Sequence, residues 1–354
     1  MPFLASISKI DLPHKLEQHL VKQYAREMFA PSFPAVDRLL PAFDNTGIIY
    51  RNFCKPLDSY AALGNFEQRN KEYTDITLEY SIKAIEQCMD KAGVKKEEVT
   101  DLVFMSTTGL STPSLDARII NQMRLPQHTG RIPVFGLGCA GGVSGFAKAN
   151  MIATANQDAV VLLVAAELCS LTYLRGDYSK SNFISSTLFS DGIAAVLVKG
   201  DRHKTKSGPL VKFVAAQSKL YYDSIDINGW EFLDGGFKVL FSQDIPSIVL
   251  KNVKIDSAEF LSKHGLQISD IKNFILHPGG TKVLAAYEQA LQVQGDFLKN
   301  SRQVIHQYGN MSSATVLYVL ERFFTGGFED GYGLMGAMGP GFSNEMVLLQ
   351  MQNE

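Results

Sequence analysis

Arg131-Ile132-Pro133-Val134 leads through Phe135-Gly136-Leu137-Gly138 to Cys139-Ala140-Gly141-Gly142, and small and apolar residues then run on to about Ala155. The first four residues predict a short strand, the glycines a turn, and the run a helix from Cys139 to about Ala155. The same order returns later: Arg302-Gln303-Val304-Ile305 leads to Gly309-Asn310, and a helix is expected through Ser312-Ser313 to about Phe324. Cys139 and Asn310 stand 171 residues apart. A second match agrees with the first. Gly93-Val94, a polar turn and Asp101-Leu102-Val103-Phe104-Met105 parallel Gly265-Leu266, a polar turn and Asn273-Phe274-Ile275-Leu276-His277, 172 residues on. Two matches at almost one shift predict a duplicated α/β chain, with strands also at 159–166, 193–198, 210–216 and 345–351.

The chain has 354 residues, enough for two units of ordinary size. The turn residues and charges between Gly200 and Gly208 mark the junction, giving halves of 1–204 and 205–354. With 34 basic and 36 acidic side chains, no positive excess is left for nucleic acid or an anionic membrane. The longest apolar run, Ala159 to Ala166, falls short of the ~20 residues a membrane span needs. The first residues carry no secretion-signal pattern, so a cytoplasmic protein is expected. Segment 14–29 places Leu16, Leu20, Tyr24 and Met28 at helical spacing, which predicts an amphipathic helix docked by that face.

Four cysteines without a CxxC pair, and histidines without ligand spacing, argue against a disulfide scaffold or a zinc site. Cys139 is different, because a thiol at a strand-to-helix turn meets free backbone N–H groups and the helix dipole, both of which favour the thiolate. The neighbouring glycines let a carbonyl approach, and backbone N–H groups there can hold an oxyanion. His277 follows a predicted strand and precedes Pro278-Gly279-Gly280, a turn that aims the imidazole. Asn310 opens the repeat-mate of the Cys139 helix. A buried structural thiol, a core histidine and a helix N-cap are the plain alternatives for the three taken singly.

Gly138-Cys139-Ala140-Gly141-Gly142, His277-Pro278-Gly279-Gly280, Tyr308-Gly309-Asn310-Met311-Ser312-Ser313-Ala314 and Gly339-Pro340-Gly341 together resemble the thiolase-fold condensing enzymes, specifically the type III polyketide synthases related to chalcone synthase. Glu167-Leu168-Cys169-Ser170-Leu171-Thr172, Gly229-Trp230 and Gly236-Phe237-Lys238-Val239 are similar to bacterial members that make alkylpyrones or alkylresorcinols. The resemblance implies a thiolase-like αβαβα layered fold, with two pseudo-symmetric halves built on mixed five-stranded sheets. It implies an acyltransferase in which Cys139 is loaded from a starter acyl-CoA. His277 and Asn310 would hold malonyl-CoA during decarboxylation, and cycles of condensation would end in a pyrone, resorcinol or phloroglucinol-type product. No metal or redox cofactor is implied.

By the same resemblance Phe189 guards the CoA tunnel, and Thr107, Thr108, Cys169, Thr172, Val239 and Ser312 line the cavity, with Gly339 and Pro340 at its edge. Thr112 and Pro113 would reach a neighbouring subunit, implying a homodimer. Ala337-Met338 departs from the family's glycine-rich loop. Arg51 and Lys55 do not reproduce its CoA-phosphate pattern and read as solvated surface charges, while Cys54 and Cys88 read as structural. A single-round β-ketoacyl synthase III-like condensing enzyme is the alternative. A non-catalytic acyl-binding partner has no chemical reason to keep Cys139, His277 and Asn310 together.

Overall fold

The computed structural model describes every residue except Ser32, Pro34, Arg175, Lys206, Ser207, Gln294 and Glu354. The first half begins with β1 (Phe3–Lys9), β2 (His14–Glu17), α1 (Gln18–Phe29), α2 (Pro41–Asp44), β3 (Tyr50–Phe53) and α3 (Phe66–Ala92). It continues with β4 (Asp101–Met105), α4 (Leu115–Met123), β5 (Gly130–Val134), α5 (Gly141–Ala155), β6 (Val160–Leu168), α6 (Lys180–Leu188) and β7 (Asp191–Lys199). The second half opens with β8 (Leu210–Leu220), β9 (Asn228–Leu233), β10 (Gly236–Phe241), α7 (Ile245–Ser262) and β11 (Ile271–Leu276). It closes with α8 (Thr281–Leu291), α9 (Lys299–Tyr308), α10 (Ser313–Gly326), β12 (Gly331–Gly339) and β13 (Ser343–Gln352). The expected junction lies in the turn between β7 and β8, where Lys206 and Ser207 are outside the described residues.

The duplication is visible in the strand order. Outward from the middle of one nine-stranded sheet, the first half contributes β1, β7, β6, β4 and β5, and the second contributes β8, β13, β12 and β11. In both, a parallel pair is followed inward by antiparallel ones, β4–β6 and β6–β7 against β11–β12 and β12–β13, and in the first half β5 adds a further parallel pair outside β4. The halves meet where β1 pairs with β8 at Phe3 and Lys212.

Five-stranded sheets are therefore observed only in the first half. Among the described residues the second half contributes four strands to this sheet, because Arg302 to Ile305, expected as a strand, lies inside α9. The buried positions Ser301, Val304, Ile305 and Tyr308 explain the difference, since a 3–4 residue spacing puts them on one face of a helix.

Helices α5 and α10 are buried on nearly every side, which identifies them as the central layer. One face of each sheet half encloses them, with Val103, Met105 and Leu163 on one side and Ile275, Met335 and Val347 on the other. The opposite sheet faces carry the outer layers. Leu102, Phe104 and Leu162 pack on Ile85, Cys88 and Met89 of α3, and Phe274, Leu334 and Leu348 pack with Val249 and Phe260 of α7. The result is the expected αβαβα stack.

Segment 14–29 also departs from its expected form. Its first residues pair as β2 with β3, and α1 buries Gln18, Val21, Ala25 and Phe29. The anticipated stripe fails because Leu16 belongs to β2 and Leu20 faces solvent. Among the described residues, no helix is long and apolar enough to cross a membrane.

Candidate active site

Cys139 occupies a single 3-10 turn, Gly138–Ala140, that feeds directly into α5. Gly138 is required there twice over: its φ is +46°, and a Cβ would stand 2.6 Å from Pro340 Cδ. Gly138 N–H donates to Thr107 Oγ1 at 3.0 Å, fastening the turn to the end of β4. Repeat symmetry then brings Asn310 across, with Cys139 Sγ 3.9 Å from its Oδ1. The Asn310 carboxamide is fixed at both ends, since Oδ1 accepts from Ser312 N–H at 2.9 Å and Nδ2 donates to Gly279 O at 3.3 Å.

His277 continues β11 by one backbone bond, its N–H donating to Gly336 O at 2.9 Å. The turn at Gly279 whose carbonyl holds Asn310 therefore belongs to the histidine's own His-Pro-Gly-Gly segment. The imidazole is 3% exposed and neither ring nitrogen has a partner among the described residues. A buried polar group without a partner is costly, and such costs are retained where a ligand supplies the missing bond.

Burial pushes the Cys139 thiol up to about 12, more than a hydrogen bond from Ser312 offsets, and the charge of Glu167 adds to the rise. The expected easing of ionisation by the helix start is thus outweighed by burial. Burial likewise lowers His277 to about 3, so its ring is neutral at physiological pH. Glu167 is the titratable group that sequence reasoning passed over as a site residue. It is fully buried at the end of β6, its Oε2 accepting from Thr107 N–H (3.0 Å) and Thr108 Oγ1 (2.9 Å) and its Oε1 from Ser313 Oγ (2.5 Å). Burial raises it to about 7 against these three donors. One buried carboxylate thereby ties the β4 end to the start of α10.

A cleft opens beside Cys139. Its wall includes Thr107, Thr108, Cys169 and Thr172 from the first half, and Val239, Ser312 and Pro340 from the second. Phe189 also lies on the wall, its ring edge-on to Phe241 at 5.8 Å. Four predicted residues are not on the wall: His277 and Asn310 are buried, Gly339 at the end of β12 packs under the Leu137 carbonyl, and the fourth is Thr112. Thr112 is exposed, in a cis peptide with Pro113.

Two family models match the chain: chalcone and stilbene synthases, N-terminal domain, over residues 59–202, and the C-terminal domain over residues 213–352. The chain belongs to the chalcone and stilbene synthase family. A Bacillus subtilis (strain 168) protein bearing the chalcone synthase name is 42% identical over 99% of this chain and 99% of its own length. The 1,3,6,8-tetrahydroxynaphthalene synthase of Streptomyces peucetius subsp. caesius is 36% identical, over 96% of this chain and 90% of that one. The crystal structure of the Streptomyces coelicolor A3(2) tetrahydroxynaphthalene synthase, a bacterial type III polyketide synthase, matches with a TM-score of 0.93. That match has 30% identity and covers 99% of this chain and 100% of that one. The protein is thus a type III polyketide synthase, an acyltransferase.

In this family member the cleft extends beyond what the motifs indicated. Its far wall is apolar and comes from α1 and β3, through Val21, Ala25, Phe29 and Phe53, with Trp230 and Phe237 from the β9–β10 hairpin. Trp230 and Phe237 stand in motifs already noted, but nothing local in the sequence marks Val21, Ala25, Phe29 and Phe53, which are ordinary apolar positions of remote segments. Arg51 overturns its reading as a solvated charge: it is 3% exposed and lines the cleft. Lys55 pairs with Glu72 at 2.6 Å instead. Cys88 packs against Ser6 (Sγ to Oγ, 3.1 Å) under α3, and Cys54 lies 3.6 Å from Tyr60 Oη and Ser170 Oγ, as suits structural thiols.

Proposed function

We propose that the protein loads an acyl-CoA starter on Cys139 and extends it with malonyl-CoA by repeated decarboxylative Claisen condensation. The observation that carries the reading is Cys139 on the cleft wall within 3.9 Å of the Asn310 carboxamide, which is itself tied to the turn that follows His277, whose buried imidazole has no partner among the described residues. In the loading step the Cys139 sulfur attacks the acyl carbon as the neutral imidazole relays its Sγ proton to the departing sulfur, so that CoA leaves as the thiol and the imidazole ends neutral. A malonyl thioester then takes the place of the first. The imidazole N–H and the Asn310 N–H2 donate to its carbonyl oxygen, the carboxylate leaves as CO2, and the bonding electrons form an enolate held by those donors. The enolate carbon attacks the Cys139 thioester, the Cys139 sulfur leaves as the thiolate, and the chain, two carbons longer, is carried on the extender's CoA until it is transferred back to Cys139 for the next round.

The apolar far wall supports a fatty acyl starter, and Val239 leaves room on that side for a longer chain. The expected products are pyrones, resorcinols or phloroglucinol-type rings. The two halves, 1–204 and 205–354, act as one unit, with the nucleophile on the first and its partners on the second. The working form is a cytoplasmic homodimer requiring no bound cofactor; β5 at the sheet edge and the exposed Thr112-Pro113 turn are suited to meet a second copy.

The test is product analysis by mass spectrometry with malonyl-CoA and starters of increasing chain length. Pyrones or resorcinols with release of CO2 are expected. Turnover confined to acyl carrier protein substrates would replace this reading with the single-round one. Cys139→Ala must abolish covalent acylation seen by intact mass, and acylation that persists elsewhere removes the nucleophile assignment.

A further inference from the structure

An α-helix leaves four carbonyls at its C-terminus without intrahelical donors. At the end of α6, beside the cleft, each has an identifiable partner. Ser185 O accepts from Phe189 N–H at 3.0 Å, within the same segment. Ser186 O accepts from Arg51 Nη1 at 2.6 Å, and Thr187 O from Gln18 Nε2 at 2.9 Å. Leu188 O accepts from Asn310 N–H at 2.9 Å, and Ser190 N–H answers by donating to Asn310 O at 2.8 Å. Phe189 and Asn310 thus form a short parallel bridge. The turn that presents the cleft aromatic and the backbone that carries the Asn310 carboxamide hold each other in place.

Arg51 and Gln18 brace this bridge from behind. Both are buried, and Arg51 Nη1 also lies 3.5 Å from Gln18 Oε1. The Arg51 side chain backs Gly309 as well, since a Cβ there would stand 3.0 Å from Arg51 Cγ. A buried guanidinium needs compensation, and here it sits at the negative end of the α6 dipole, over the Phe53 ring at 5.0 Å. Burial lowers it only to about 10, so it stays charged at neutral pH.

We propose that Arg51, braced by Gln18, is a positioning residue for the decarboxylation step: it holds the last turn of α6 and, through the Phe189–Asn310 bridge, the Asn310 carboxamide. The inference rests on the role given above to Asn310. Catalytic donors lose effect steeply with misplacement, about 100-fold for 1 Å. Cys139 belongs to a different turn, fastened to Thr107. Loosening the bridge therefore separates the two half-reactions.

The experiment compares wild type with Arg51→Met, Arg51→Lys, Gln18→Leu and Asn310→Ala. Two rates are read: single-turnover acyl loading from a starter acyl-CoA by intact mass, and CO2 release from malonyl-CoA. The ratio of CO2 release to loading falls about 10- to 100-fold in Arg51→Met, less in Gln18→Leu, and recovers in part in Arg51→Lys. A ratio unchanged in Arg51→Met, or equal losses in both rates, overturns the inference. If Arg51→Met does not fold, Gln18→Leu, which removes the donor to Thr187 O without removing a charge, decides by the same two outcomes. A ratio that falls in Asn310→Ala but not in the Arg51 and Gln18 variants removes this inference alone. A ratio unmoved in Asn310→Ala removes the role of Asn310 and this inference with it.

Discussion

Glu167 illustrates how far a single residue's chemistry depends on its surroundings. In the sequence it ends an apolar run; in the fold it is a buried acid with three donors and a pKa of about 7. The folded protein therefore keeps the proton at pH values where the unfolded chain has lost it. The group's contribution to stability is fully present below the ordinary carboxylate range and is lost as pH rises through about 7. Wild type should lose stability relative to Glu167→Gln between pH 5 and 8, by a ceiling of about 3 kcal/mol. Parallel denaturation curves at the two pH values would show that Glu167 does not titrate there. Cys139, His277 and Asn310 were legible as residues because each stands in a short motif with its own turn chemistry. Arg51 has no such local mark, and the motif that opens at Glu167 says nothing of its charge: burial makes both special, and burial comes from segments far along the chain.

At the scale of elements, the reading succeeded where spacing and surroundings agreed. The strands β6, β7, β8 and β13 and the helices α5 and α10 lie where periodicity placed them, within a few residues. It failed at α9, where Val304-Ile305 suggested a strand because a four-residue window cannot separate a period of 2 from one of 3.6. It failed again at α1, where β2 takes the first residues and shifts the buried face. The join after α9 carries the most demanding geometry. Gly309 has φ +73°, and an added Cβ would meet Arg51 Cγ at 3.0 Å and Leu188 O at 3.1 Å. Gly309→Ala should cost about 1–3 kcal/mol through backbone strain. Denaturant midpoints measure this directly, and an unshifted midpoint would mean that the join relaxes freely.

Over the whole molecule, the first strand is the seam. β1 pairs with β7 along its length and meets β8 at Phe3, and Pro2 O accepts from Phe213 N–H at 3.0 Å. Removing residues 1–9 would leave two unpaired edges in the middle of the sheet, a configuration that promotes aggregation. The truncated chain is expected to be insoluble or to lack a cooperative melt by circular dichroism. A soluble truncation with an unaltered midpoint would show that the halves hold together through α5 and α10 alone.

The sequence by itself determined the duplication, the layered α/β class, the family and the three residues of the proposed chemistry, because each is written in local spacing or in contiguous motifs. Only the tertiary structure decided how many strands the second half gives to the sheet, which segments wall the cleft, and that Glu167 and Arg51 are buried with the partners they have. The physical reason is the same in each case. These properties depend on water being excluded and on donors arriving from remote segments, and packing alone sets both.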